Sequence, residues 1–198
     1  MLIDLLRHGE TETPGRLLGR TDPALSAAGW RQVERQTTNR NWDLIIASPR
    51  LRARAAAERL GAERHVALRV DEDWAELDFG DWDGRLIAEL RADPSTAAAF
   101  SAIYAGADND GAPGGESWAG LKMRVARALH RLLAEATGGR VLVITHAGPM
   151  RAALAVACGL PFANLWAFKI DPGTRITLSA GRDSGGSLWG EIVEVVQP

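Results

Sequence analysis

Two short apolar runs, far apart in the chain, end in almost the same way. The first reads Ile3-Asp4-Leu5-Leu6 and passes into Arg7-His8-Gly9; the second reads Val143-Ile144-Thr145 and passes into His146-Ala147-Gly148. Runs of this length, without helical period, read as buried strands. The second, Arg140–Thr145 (RVLVIT), lies between helical patterns on both sides. Strands that alternate with helices assemble into a sheet covered on both faces. In such sheets the functional crevice lies outside the carboxyl ends of the strands. Two strands that each run into a histidine followed within two residues by a glycine therefore bring two imidazoles to one edge.

The remaining elements fit that frame. Leu2–Leu6 and Asp43–Ala47 read as strands, and Ala67–Asp71 as a weaker one. A helix containing Gln32 follows Ser26-Ala27-Ala28-Gly29, and an Arg/Ala-rich helix runs from about Pro49 to Gly61. Leu86–Arg91 and Ser95–Tyr104 are short helices parted by the breaker Asp93-Pro94. The segment 106–115 (GADNDGAPGG) has the composition of a mobile loop. The strongest helix starts near Glu116: Trp118, Leu121, Val125, Leu129 and Leu132 are spaced three, four, four and three apart. Arg124, Arg127 and Arg131 lie off that stripe and are expected in solvent, and Gly138-Gly139 ends the helix. Gly148–Cys158 reads as a further helix, and the tail offers strands around Trp166–Ile170, Arg175–Ser179 and Leu188–Val195. The expectation is an α/β fold: one three-layer domain over residues 1–198, with a mixed, mostly parallel sheet and helices on both faces.

Composition narrows the function. The net charge is −2, and the basic residues are scattered rather than clustered, which argues against a nucleic-acid partner. The single cysteine, Cys158, excludes an internal disulfide and a multi-cysteine zinc site. Nothing approaches the roughly 18 apolar residues of a membrane span. The start, Met1-Leu2-Ile3-Asp4, lacks the basic and apolar regions of a signal peptide, so a cytoplasmic location is expected. Oligomeric state has no signature in the sequence.

The chemistry gathers at the strand ends. The strand Asp43–Ala47 runs into Ser48-Pro49-Arg50-Leu51-Arg52, which adds guanidinium groups to the same edge. A helix beginning after His146 aims free backbone N–H groups there as well. Such a cationic pocket suits phosphate, whose oxygens forked guanidinium groups bind in pairs. A neutral imidazole can attack phosphorus and split hydrolysis into two easier steps. Either histidine alone is more simply a hydrogen-bonded structural residue; the shared setting favours function. The pattern does not choose among Arg50, Arg52 and Arg54. Nor does it mark Glu76 among Asp71, Glu72, Asp73, Asp78, Asp81 and Asp83, a cluster without the calcium-loop pattern.

A resemblance goes further. Leu6–Thr11 (LRHGET) resembles the signature of the histidine phosphatase family, which also contains the cofactor-dependent phosphoglycerate mutases. The similarity continues through 19–29 (GRTDPALSAAG), 48–54, 76–84 (ELDFGDWDG), 113–117 (PGGES) and 143–148, in family order. The resemblance implies a metal-independent, cofactor-free phosphatase acting on a small phosphate ester. It implies His8 as the phosphoryl acceptor, Arg7, Arg52 and His146 as phosphate-binding residues, and Glu76 as proton donor to the leaving oxygen. The chain departs from usually polar family positions at Pro14 and Leu18. Family mutases are longer and have pocket-closing segments, whereas this chain is short and its tail ends in the strand-like 192–196, so hydrolysis is expected. A non-catalytic binding member is the contrasting class, against which the presence of all five residues argues. Within the family, 79–84 and 165–174 resemble the alpha-ribazole phosphatases of cobalamin assembly. That implies alpha-ribazole 5'-phosphate as substrate, with Trp82 or Trp166 as either plain core or a wall for its aromatic base.

Overall fold

Alternation along the central strands gives each face of the sheet its own core. Ile3 and Leu5 of β1 (Leu2–Arg7), with Val141 and Val143 of β4 (Arg140–Thr145), point to one side. There they pack on Leu121, Val125 and Leu129 of α5 (Trp118–Glu135) and on Ala153 and Leu154 of α6 (Ala147–Cys158). Leu6, Leu142 and Ile144, with Ile45 and Ala47 of β2 (Leu44–Ala47), point to the other side. They meet Val33 of α1 (Ala27–Thr37) and Ala53, Ala56 and Leu60 of α2 (Leu51–Arg64). This computed structural model describes residues 1–105, 111–135 and 138–198.

With β3 (Leu68–Val70), β5 (Arg175–Arg182) and β6 (Leu188–Val196), the strands form one mixed sheet of order β3-β2-β4-β1-β5-β6. The first four in that order run parallel, and β5 is antiparallel to both of its neighbours. The chain leaves β1 through α1 toward β2 on one face, and leaves β4 through α6 toward β5 on the other. The crossovers diverge between β1 and β4, the topological switch point at which a crevice opens. Two short helices, α3 (Ile87–Ala92) and α4 (Ala97–Ala105), form a separate small core around Trp82, Leu90 and Phe100. Among the described residues, no helix is long and apolar enough to cross a membrane.

One buried charge ties the sheet together. Asp4 accepts hydrogen bonds from Trp42 Nε1 (2.7 Å), Thr177 Oγ1 (2.6 Å), Arg140 Nε (2.8 Å) and Arg175 Nη1 (3.3 Å). These partners come from β4, β5 and the segment before β2, so a carboxylate in the middle of β1 fixes its neighbours.

Three expectations change. Residues 166–170 are not a strand: a 3-10 turn spans Phe162–Ala167 and irregular backbone follows. The carbonyls of Phe168 and Ile170 serve arginine side chains, Arg151 Nη2 (3.2 Å) and Arg7 Nη1 (2.7 Å), instead of a sheet ladder. Arg124 is not in solvent; it pairs with Glu116 at 2.8 Å and donates to the carbonyls of Asp73, Ala75 and Glu76. In the expected loop, 106–110 lie outside the described residues, while Gly115 N–H bonds to Ala112 O and Asp81 N–H to Pro113 O, both at 2.9 Å. That part is a packed turn, because its glycines let two backbones meet.

Candidate active site

The two histidines arrive through strand pairing. Arg7 stands opposite Thr145 in the β1–β4 register, and His8 N–H bonds to Thr145 O at 2.9 Å. The rings of His8 and His146 then lie 5.0 Å apart at 64°. The turn beyond His8 is tight: a Cβ on Gly9 would stand 2.1 Å from Gly29 O of α1, so only glycine lets the chain pass.

His8 is almost fully buried. Its Nδ1–H donates to Gly9 O at 2.7 Å, and Nε2 receives the Nε–H of Arg52 at 3.3 Å. Burial, then the neighbouring Arg7 and Arg52, hold its pKa well below the usual histidine range. The ring is therefore neutral at physiological pH, with an unprotonated Nε2. His146 is completely buried, with Nε2 2.7 Å from Ser48 Oγ and with Nδ1 lacking a hydrogen-bond partner among the described residues. Burial, followed by Arg52, His8, Arg7 and Arg50, pushes its pKa well down too.

Of the three candidate arginines, the structure brings Arg52 to the histidine. Its Nη1 donates to Thr21 O (3.1 Å) and to Asp22 Oδ1 (3.0 Å), and its Nη2 to Leu18 O and Gly19 O. The Nε edge is what remains for His8. Arg54 pairs with Glu58 at the surface, and Arg50 precedes α2. Leu18 contributes its carbonyl, so its apolar side chain removes nothing from that contact; Pro14 is exposed. Arg7 spends Nη1 on Ile170 O and keeps a buried Nε without a partner among the described residues. Burial lowers the Arg7 pKa, with the attraction of Glu76 opposing.

Glu76 faces the first turn of α6. Its Oε1 accepts the backbone N–H groups of Leu77 (2.9 Å) and Gly148 (3.2 Å). The first turn of α6 thereby holds this oxygen in place. A Cβ on Gly148 would come to 2.3 Å from that oxygen, so the approach requires glycine. Behind it, Arg124 fixes the 73–76 backbone, a role the sequence reading missed because an arginine off an apolar stripe reads as wet.

A cavity of about 200 Å³ opens over Arg7, His8 and Glu76, with Tyr104, Arg151 and Trp166 on its wall. Trp82 does not line it; that ring packs at 5.8 Å on Phe100 in the small core. Arg151, also missed, follows Gly148 by three positions, hence on the same face of α6. Its guanidinium lies 4.4 Å from the Trp166 ring centroid, and its buried Nε has no partner among the described residues. Within the acidic cluster, Asp71 and Asp73 pair with Arg131 of α5 and Asp73 also with Arg127, while Asp78 pairs with Arg20 and Asp83 accepts the N–H groups of Gly19, Arg20 and Thr21. Among the described residues no three His, Cys, Asp or Glu side chains converge as a metal site needs.

The chain is 33% identical over 176 residues to a bifunctional protein of Mycobacterium tuberculosis, covering 84% of this chain and 47% of that protein. It thus spans about half the length of the mycobacterial relatives it matches. It is 28% identical over 178 residues to the adenosylcobalamin/alpha-ribazole phosphatase of Escherichia coli K12, covering 87% of each. A mycobacterial glucosyl-3-phosphoglycerate phosphatase superposes with a TM-score of 0.85 at 26% identity, over 98% of this chain and 97% of that one. The profile of the Histidine phosphatase superfamily (branch 1) matches residues 3–188. With its two paired histidines and their arginines, the chain belongs to the histidine phosphatase superfamily.

Proposed function

We propose that the protein is a metal-independent phosphomonoesterase that works through a phosphohistidine on His8. The observation that carries this reading is the neutral, buried His8, oriented by Gly9 O and presenting Nε2 beside the Nε–H of Arg52. The Nε2 lone pair forms the N–P bond while the bond from phosphorus to the ester oxygen breaks. The departing oxygen takes a proton from the Glu76 carboxyl, since an alkoxide is a poor leaving group at neutral pH. Water then attacks phosphorus and gives a proton to the Glu76 carboxylate. The N–P bond breaks, His8 regains its lone pair, and inorganic phosphate leaves. Arg7, Arg52 and His146 stabilise the phosphoryl oxygens, supplying the positive charge that metal ions provide elsewhere.

The specific ester proposed is alpha-ribazole 5'-phosphate. Support comes from the 165–174 resemblance, the similarity to the Escherichia coli enzyme and the Trp166 ring on the cavity wall. A second reading is an ester whose alcohol carries an anionic group, favoured by Arg151, whose buried Nε has no partner among the described residues and lies one turn beyond Glu76's helix contact. The test is kcat/KM for alpha-ribazole 5'-phosphate, 3-phosphoglycerate and phosphoserine on wild type, Arg151→Ala and Trp166→Ala. An aromatic contact adds roughly 0.5–1.5 kcal/mol, about threefold to tenfold. Trp166→Ala should lose that factor on the ribazole ester alone. If 3-phosphoglycerate is preferred and Arg151→Ala removes the preference, the second reading stands and the ribazole assignment falls.

A further inference from the structure

Ser48 follows β2 and continues its pairing, its N–H bonding to Ile144 O at 3.0 Å. Its side chain is fully buried, with Oγ 2.7 Å from Nε2 of His146. The same Oγ accepts the backbone N–H of Arg50 at 3.3 Å. A hydroxyl has one proton and two acceptor lone pairs. With one lone pair engaged by Arg50, the hydroxyl proton is free to point at Nε2, the nearest acceptor the side chain has.

The direction of that one hydrogen bond decides what His146 can do. A neutral imidazole carries a single ring N–H, and its location follows the partner of the other nitrogen. If Ser48 donates to Nε2, the ring proton sits on Nδ1. Nδ1 is buried and unpartnered among the described residues, the costly condition for a polar atom unless a ligand completes it. In the opposite tautomer the ring would offer a phosphoryl oxygen a lone pair, and attraction would become repulsion.

We infer that Ser48 is a positioning residue: by donating to Nε2 it holds His146 as the Nδ1–H tautomer, so that this N–H serves the phosphoryl group carried by His8. The inference rests on the phosphohistidine reading above and adds a residue that never touches the substrate. Burial and the cationic surroundings of His146, Arg52 foremost, keep the ring neutral and so make the tautomer matter. Arg50 also gains a role through its backbone N–H, which turns the serine hydroxyl toward the ring.

The experiment is 15N NMR of histidine-labelled protein at pH 7.5, with His146→Ala assigning the resonances, alongside rapid-quench measurement of phosphoenzyme formation. In wild type, His146 should show a protonated Nδ1 and an unprotonated Nε2. Ser48→Ala should lose that pattern and form phosphohistidine at least about tenfold more slowly, roughly 1.4 kcal/mol. The overall fold and the His8 tautomer should be unchanged in that variant. Ser48→Thr, which keeps the hydroxyl, should restore the wild-type tautomer; if its extra methyl prevents folding, the wild-type and Ser48→Ala spectra decide. A wild-type His146 protonated on Nε2 overturns the inference, as does a Ser48→Ala variant unchanged in tautomer or in phosphorylation rate. Either result leaves His8 chemistry intact, whereas a wild type that forms no phosphohistidine removes the parent reading instead.

Discussion

Replacing Gly148 with alanine sets a methyl group 2.3 Å from Glu76 Oε1, where real contacts stay beyond 3.0 Å. Something must move, and the carboxylate is the free end of a flexible side chain. The next nearest neighbour is Leu121 Cδ2 at 3.3 Å, which needs to give only slightly. Gly148 lies in the first turn of α6, where alanine is favoured over glycine by up to about 1 kcal/mol of helix propensity. The two effects on stability oppose each other, so the melting temperature should change by only a few degrees. Activity should not survive as well. The carboxylate retreats from 2.3 to at least 3.0 Å from the new carbon and gives up the 3.2 Å bond from Gly148 N–H. A displacement of about 1 Å in a reacting group costs about a hundredfold. Gly148→Ala should therefore lower kcat on an alkyl phosphate about a hundredfold. It should lower kcat far less on p-nitrophenyl phosphate, whose leaving group needs little protonation, and Glu76→Gln should show the same contrast. Equal losses on both esters would mean that the methyl disturbs phosphate binding at the helix N-terminus. Full activity on both would remove Glu76 from the proton path.

His8→Ala should abolish the acid-labile, base-stable phosphoryl group that rapidly mixed, acid-quenched wild type carries; near-normal turnover in that variant would end the phosphohistidine mechanism. EDTA treatment should leave activity unchanged, and a loss restored by magnesium or zinc would overturn metal independence. For Asp4, burial works to raise the pKa, but hydrogen bonds from Arg140, Thr177 and Trp42 prevail and hold it below the usual value. Its stabilisation is thus complete above the unfolded carboxylate value near 3.9 and is lost as pH falls through the lower folded value. Asp4→Asn should cost about 3 kcal/mol in urea unfolding at pH 7, because the guanidinium groups of Arg140 and Arg175 lose a buried counter-charge. The variant should also lose part of the stability drop between pH 5 and 3; an unchanged acid limb would refute the assignment.

What the sequence disclosed depended on periodicity and repetition. The strands around His8 and His146 were legible because both are apolar runs with the same ending, and α5 because its stripe is regular. Physical patterning brought two histidines and several arginines to one edge but could not select Arg52, whose neighbours Arg50 and Arg54 have the same composition signal. Selection came from resemblance, and the geometry gives its reason: residue 52 is the one whose side chain is fully buried beside His8. The strand expected at 166–170 failed because aromatic, β-favouring residues there face the cavity and α6 while the backbone caps arginines. Arg124 and Arg151 were missed for one reason: each binds carbonyls from segments remote in sequence, and no local pattern records a partner about 50 residues away in one case and 17 in the other.

The occupied arginines also bear on how the proposed mechanism would keep His8 ready as a nucleophile. Protonation of Nε2 would block attack on phosphorus, and a carboxylate partner at Nδ1, by attracting the proton, would favour that blocked form. Here the Nδ1 partner is the neutral carbonyl of Gly9, which orients the ring with only a small upward pull on its pKa, while burial, Arg7 and Arg52 all act downward. In the proposed mechanism the same positive charges would become favourable once the N–P bond forms and brings phosphoryl oxygens against them. Arg52 could serve both states without moving, because its two terminal nitrogens are already fixed on residues 18–22 and its Nε–H alone would pass from the imidazole lone pair to an oxygen. Little reorganisation would then separate the free site from the phosphorylated one proposed above. Weakening the anchor at Asp22 should reach His8 through Arg52, although Asp22 touches neither the imidazole nor the ester.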